Sequence, residues 1–155
     1  KNIDQVNVAG ADMVIALHAC DVATDIAIAK GIQAGARYIM ASPCCHKQVR
    51  NSMTPVNVLS PILSHGILAE RQAEILTDGI RALLMEAHGY RTQVFEFIST
   101  EHTSKNLMIT GVKGDPDPKA KEKVTQLKEF FGLKYHYLEK ILDTGVYDIA
   151  DVPLV

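Results

Sequence analysis

The sequence lacks most of the features that would fix a compartment or a partner at once. Its three cysteines are an odd number, and two of them, Cys44 and Cys45, are adjacent. Neighbouring cysteines rarely bridge each other, which excludes a disulfide scaffold and makes a reducing cytoplasm the expected location. No apolar run approaches the roughly 18–20 residues needed to cross a bilayer, so no membrane partner is expected. The start, Lys1-Asn2-Ile3-Asp4, has no initiating Met and no charged-then-apolar secretory layout. It is expected to be a boundary left by processing or cloning. An excess of one charge is missing too: a net charge of −2 gives no overall pull toward nucleic acid or an acidic membrane. A local basic patch would still leave RNA open as a partner. Repeats and low-complexity segments are absent. No G-x-S-x-G elbow occurs, which argues against a hydrolase, and no G-x-G-x-x-G follows any expected strand.

What is present is an ordinary globular balance, 47% hydrophobic and 22% charged, enough to build a core. The run from Asp12 to Ala19 is short and nearly all apolar, which predicts a strand buried on both faces, the habit of parallel sheets. Asp21 or Thr24 can cap a helix that runs to about Ala34 and stops at Gly35. Arg37 to Ser42 is a second buried strand, ended by Pro43. Strand, helix and strand within about 30 residues make a βαβ unit with a right-handed crossover.

His46 to Ser64 reads as a long loop with Pro55 and Pro61. A helix is expected from Ile67 to His88, with Leu68, Ile75, Leu76, Ile80, Leu83, Leu84 and Ala87 as its apolar stripe. Two more strands follow, Thr92–Ile98 and Leu107–Val112. Their connection is too short for a crossover helix, so the pair must be antiparallel. The expected fold is therefore α/β: a mainly parallel sheet with an antiparallel final strand. Asp117 and Pro118 open a charged helix to Phe131, with Val124, Leu127, Phe130 and Phe131 inward and Gly132 as its stop. A short helix over Tyr135–Leu142 completes a tail expected to pack on the sheet or on a partner.

Ligands of open parallel sheets bind beyond the carboxyl ends of the strands. Two polar clusters fall there, His18 to Asp25 and Ser42 to Lys47, and one crossover brings them to a single crevice. Cys20, Cys44, Cys45, His18 and His46 have the side chains of a zinc set. Adjacent cysteines rarely both reach one ion, however, so no metal is expected and small cysteines filling a tight crevice are the simpler account. His46 is either a general base or a loop histidine bonded to backbone. Asp21 is expected to face the crevice, whereas Asp25 simply favours a helix N-terminus. Lys47 and Arg50 are solvated unless they meet a phosphate. His65, His88 and His136 are expected at the surface.

Leu17-His18-Ala19-Cys20-Asp21 with Ala23-Thr24-Asp25, followed by Pro43-Cys44-Cys45-His46, resembles a family of class I, Rossmann-like S-adenosylmethionine-dependent methyltransferases. That family includes uncharacterised bacterial proteins and the methyltransferase region of a eukaryotic glutathione-S-transferase-like protein. The Cys-Cys-His run is also similar to eukaryotic enzymes that methylate tRNA ribose. Glu101-His102-Thr103-Ser104-Lys105-Asn106-Leu107 looks like the family's loop between its last two strands. The resemblance spans about residues 1–113 and implies strand order 3-2-1-4-5-7-6 with the seventh antiparallel, the four strands here being the fourth to seventh. It implies that residues 1–114 are the C-terminal half of a methyltransferase domain, followed by a helical tail over 115–155. The family's Gly-rich cofactor loop and ribose-gripping carboxylate have no counterpart, so these residues alone are expected to be inactive.

S-adenosylmethionine is the cofactor that the resemblance implies. His18, Ala19 and Cys20 would lie near it, with Asp4 at the adenine edge. Asp21 and His46 would be catalytic. Pro43, Cys44, Cys45, Lys47, Lys105 and Asn106 would meet the methyl acceptor, for which RNA, protein and small molecules are all candidates. A non-catalytic, methyltransferase-like binding or assembly module is the alternative reading. The unpaired edge of the first strand predicts self-association.

Overall fold

The computed structural model describes residues 3–54, 58–97 and 106–147. The chain opens with a 3-10 turn, Ile3–Gln5, then β1 (Met13–Leu17), α1 (Val22–Gln33) and β2 (Tyr38–Ser42). Short helices α2 (Lys47–Ser52) and α3 (Ser60–Leu63) precede the long α4 (Gly66–Ala87). Strands β3 (Tyr90–Glu96) and β4 (Leu107–Lys113) follow, then α5 (Ala120–Phe131) and α6 (Tyr137–Thr144). The expected loop after His46 thus contains two short helices, α3 carrying a proline in its first turn.

The sheet has the order β1-β2-β4-β3. β1 and β2 pair in parallel from Met13↔Tyr38 to Leu17↔Ser42. β4 is antiparallel to both neighbours, so β1, β2 and β3 point one way and β4 the other. This is the arrangement expected for the four strands.

One face of the sheet carries the core. Val14, Ile39 and Gly111 share a row across β1, β2 and β4. Helix α1 lies on this row through Gly31, where a Cβ would sit 2.9 Å from Ile39. Helix α4 approaches through Met85, whose Cε would lie 2.3 Å from a Cβ at Gly111. Two glycines therefore let helix and sheet come closer than any side chain would allow.

The opposite face contradicts the expectation for β1. Met13, Ile15 and Leu17 are 45%, 55% and 61% exposed, and Tyr38, Phe95 and Val112 are exposed beside them. The apolar run has a buried row and an open row because the described helices pack against only one side. The tail also departs from expectation. Helices α5 and α6 pack on α4 and α1 rather than on the sheet. Val124, Phe131, Leu138 and Ile141 join the same core as the strands. On α4, Leu68 and Ile75 point outward, as does Phe130 on α5. No described helix is long and apolar enough to cross a membrane.

His136 lies in the core, not at the surface. It caps α6, with Nδ1 accepting from the Leu138 amide at 3.2 Å, and is fully buried near Asp25, Arg81 and Glu139. Burial pushes its imidazole down to about 4. The ring stays neutral when folded, while the unfolded chain binds a proton below about 6.5. Stability should therefore fall as the pH drops from about 6.5 to about 4, by about 3 kcal/mol from this group. Urea unfolding across that range should show the slope, and a His136→Gln variant should lose it. A second outcome is expected at the sheet edge: light scattering of the chain should show concentration-dependent association, weakened by Ile15→Lys. A strictly monomeric wild-type chain would exclude the edge as an adhesive surface.

Candidate functional site

The carboxyl ends of β1 and β2 lie side by side, with the His18 amide donating to the Ser42 carbonyl at 2.9 Å. Beyond this point the β1 end is strained. His18 and Asp21 are the described non-glycine residues with positive φ, at 51° and 47°. Such conformations cost about 1–3 kcal/mol each and persist only when their surroundings enforce them. Here the enforcing bonds are identifiable. Thr24 Oγ1 donates to the Ala19 carbonyl at 2.5 Å, and Arg81 Nη2 donates to the Asp21 carbonyl at 2.9 Å.

Asp21 does not cap α1 with its side chain. Its Oδ2 accepts from the Gln48 amide at 3.1 Å, so the carboxylate ties the β1 end to the first turn of α2. Oδ1 is buried without a hydrogen bond. Burial pushes the Asp21 carboxyl up from its ordinary range, against the opposing effect of the Gln48 amide.

Arg81 organises the interior behind this end. Its guanidinium is fully buried, with Nε donating to Asp25 at 2.7 Å and Nη1 to Asp78 at 2.9 Å. Burial opposes the charge, but Asp25 and Asp78 overcome it and hold the group firmly protonated. Asp25 is therefore an ion-pair partner and not just a favourable charge at a helix end. Asp78 passes the order on: its Oδ2 meets His46 Nε2 at 2.9 Å. Burial works to raise the Asp78 carboxyl, yet the bond from His46 and the charge of Arg81 bring it below its usual value. An ionised Asp78 accepts, so His46 Nε2 donates in this bond. His46 is only 4% exposed, and Nδ1 is 3.9 Å from Glu74 with no hydrogen bond.

His46 lines a cavity of about 140 Å³ together with Pro43, Glu74, Asp78, Glu96 and Asn106. Asn106 is fixed there by donating from Nδ2 to the Phe97 carbonyl at 2.8 Å. Of the expected acceptor-binding residues, Pro43 and Asn106 share this cavity with His46. Cys44, Cys45 and the exposed Lys47 do not line it, and Lys105 lies outside the described residues. Asp78 and Arg81 escaped the sequence reading because they sit on an ordinary-looking amphipathic helix. The signal was their position: both fall on the buried face beside Leu76, Ile80 and Leu84.

A separate apolar groove of about 350 Å³ runs along the unpaired edge of β1, lined by Ile3, Val6, Val14, Ile15, Leu17 and Ala19. Asp4, on the adjoining 3-10 turn, leaves a buried Oδ1 without a hydrogen bond. Asp4 does not line this groove but faces a neighbouring one, with Gln5, Asn7 and Lys30. Ala19 lines the β1-edge groove, whereas His18 and Cys20 stand outside its lining. The three cysteines form a third cluster at the strand ends. Cys20 and Cys44 sulfurs are 3.3 Å apart, and those of Cys44 and Cys45 are 3.7 Å apart. Burial, followed by the neighbouring Cys20 and Cys45 thiols, pushes the Cys44 thiol up to about 12, which removes it as a nucleophile at neutral pH.

Breaking the buried ion pairs should be costly. Arg81→Met leaves two carboxyl groups without their cation and should lower stability by about 3–5 kcal/mol, the range for breaking a buried pair. Urea midpoints at unchanged m-value measure this, and a loss below about 1 kcal/mol, as for a surface pair, would remove the network from its central place.

Residues 2–52 match the model of a family described as a methyltransferase domain. That span covers β1, α1, β2 and α2 with both strand-end clusters, but not α4, β3, β4 or the tail. No curated protein and no solved structure matches the chain. The match supports a methyltransferase domain built around this βαβ unit.

Proposed function

We propose that this chain forms the acceptor-side part of a methyltransferase that uses S-adenosylmethionine. The observation that carries this reading is the family match over the βαβ unit whose strand ends hold His18–Asp21 and Pro43–His46. The sheet order β1-β2-β4-β3 with β4 reversed supports it, being what the resemblance implies for the last four strands of a class I domain. The β1-edge groove has the apolar character needed at an adenine edge.

When bound, S-adenosylmethionine supplies an electrophilic methyl group on a sulfonium sulfur. Everything else falls to the protein. Pro43, Glu96 and Asn106 shape the small cavity in which an acceptor O–H or N–H is held. As a neutral imidazole, His46 would take the hydrogen bond from that group on Nδ1 and receive the proton the acceptor gives up on methylation. Asp78 fixes the tautomer and ring plane, and Arg81 fixes Asp78. Three carboxyl side chains, Glu74, Asp78 and Glu96, against one Arg71 make the cavity better suited to an amine or hydroxyl than to a phosphate. Asp21 acts by holding α2 against the β1 end. A second reading is a methyltransferase-like module that binds or assembles without transfer.

The test is transfer of a labelled methyl group, by the complete enzyme of which this chain would be the acceptor-side part, to RNA, protein and small-molecule fractions of a cell extract. Transfer to one fraction is expected, and His46→Gln should reduce its rate by about a hundredfold or more, the usual worth of a positioned base. The melting temperature and calorimetric affinity for S-adenosylmethionine should change little. Cofactor binding with no transfer to any fraction would establish the second reading. A His46→Gln rate within about twofold of wild type would remove the base.

A further inference from the structure

We propose that Cys20, Cys44 and Cys45 form a three-thiolate site for a zinc ion at the carboxyl ends of β1 and β2. The sequence alone argues against this, since adjacent cysteines rarely both reach one ion. The structure removes the objection: β2 ends at Ser42, and residues 43–46 belong to no helix or strand. Released from the pleat, both sulfurs turn to the same side and meet Cys20 from the neighbouring strand end.

The geometry is that of a ligand set. All three sulfurs lie within 4.8 Å of one another, with two of the separations at 3.3 and 3.7 Å. A tetrahedral ion with Zn–S bonds of about 2.3 Å sets its sulfurs about 3.8 Å apart, so only small adjustments are needed. Core packing does not explain the cluster. Cys20 is exposed and Cys44 and Cys45 are half-buried, while cysteines that serve as small hydrophobes are enclosed. His18 and Asp21, the described non-glycine residues with positive φ, bracket the turn that brings Cys20 over Cys44.

Loading balances simply. Three S–H groups lose their protons to the buffer, three Zn–S bonds form, and no electron changes hands. The three thiolates leave a fourth coordination position open to water at the exposed Cys20 side. This inference is independent of methyl transfer, because zinc content is read without any substrate.

The experiment uses the whole chain, purified under reductant and exchanged into metal-free buffer. With added zinc chloride it should retain about one zinc per chain after gel filtration, the behaviour of a tight protein site. Cobalt in place of zinc should give an intense near-ultraviolet sulfur-to-metal charge-transfer band. Cys20→Ser, at an exposed position, should weaken zinc binding by more than about a hundredfold, since even residues that merely support ligands are worth ten to a hundred. Circular dichroism checks that this variant is folded, and Cys45→Ser provides the second reading. A wild-type chain whose three thiols react equally fast with and without excess zinc overturns the site. So does zinc uptake by Cys20→Ser equal to that of wild type.

Discussion

Arg81 brings a full positive charge into an interior that offers it no water, and the surrounding structure answers that charge. Asp25 from α1, Asp78 from its own helix and the Asp21 carbonyl at the β1 end converge on one planar fork of donors. An arginine suits the task because its donors are fixed in a plane and its charge persists in a buried setting. The same contacts hold α1 against α4, keep the Asp21 backbone in its strained turn and set the charge of Asp78. His46 owes its orientation to the last of these. The apolar packing of the core would tolerate a range of similar volumes, but this arrangement accepts one geometry.

Three different environments lie on or beyond β1 and β2. The groove beside β1 is apolar. The cavity at His46 is small, polar and dominated by carboxyl groups. The thiol cluster sits between the two strand ends. Each draws on β1 or β2, and the parallel pairing of those strands is what assembles them. The tail contributes from behind: α6 closes the helical layer over α1, and the Gln48 side chain accepts from the Tyr137 amide, linking the short helix after His46 to the last helix.

Much of the architecture was legible in the sequence. The apolar runs at Met13–Leu17 and Tyr38–Ser42 marked the βαβ unit, and the short link before Leu107 required an antiparallel pair. Strand-end reasoning also brought His18–Asp21 and Pro43–His46 together correctly. Less was legible where a residue's role depends on its partner. Asp25 lies 56 residues from Arg81, and both, like Asp78, look like common helix residues until α1 and α4 pack. The burial of His136 was missed because its enclosure comes from residues of α1 and α4, distant in sequence. The open face of β1 was missed for a related reason: an apolar run records what a strand is able to bury, not what is present to cover it.

Strand β4 lies between β2 and β3, and this ordering constrains how the molecule can assemble. β3 and β4 are joined by a short connection and can zip together locally, as β1, α1 and β2 can dock locally. The β2–β4 ladder, from Tyr38↔Val112 to Ala41↔Ile109, joins residues about 70 apart and must wait for the long α4 excursion to close. Closing that ladder carries the largest loop-closure entropy in the sheet, and Ile39 meets Gly111 beneath Met85 once it forms. The sheet is thus two early-forming halves with one late seam, and the seam runs directly beneath the helix that carries Asp78 and Arg81. A chain that fails to close it would keep much of its secondary structure yet never bring His46 and Asp78 within reach of each other.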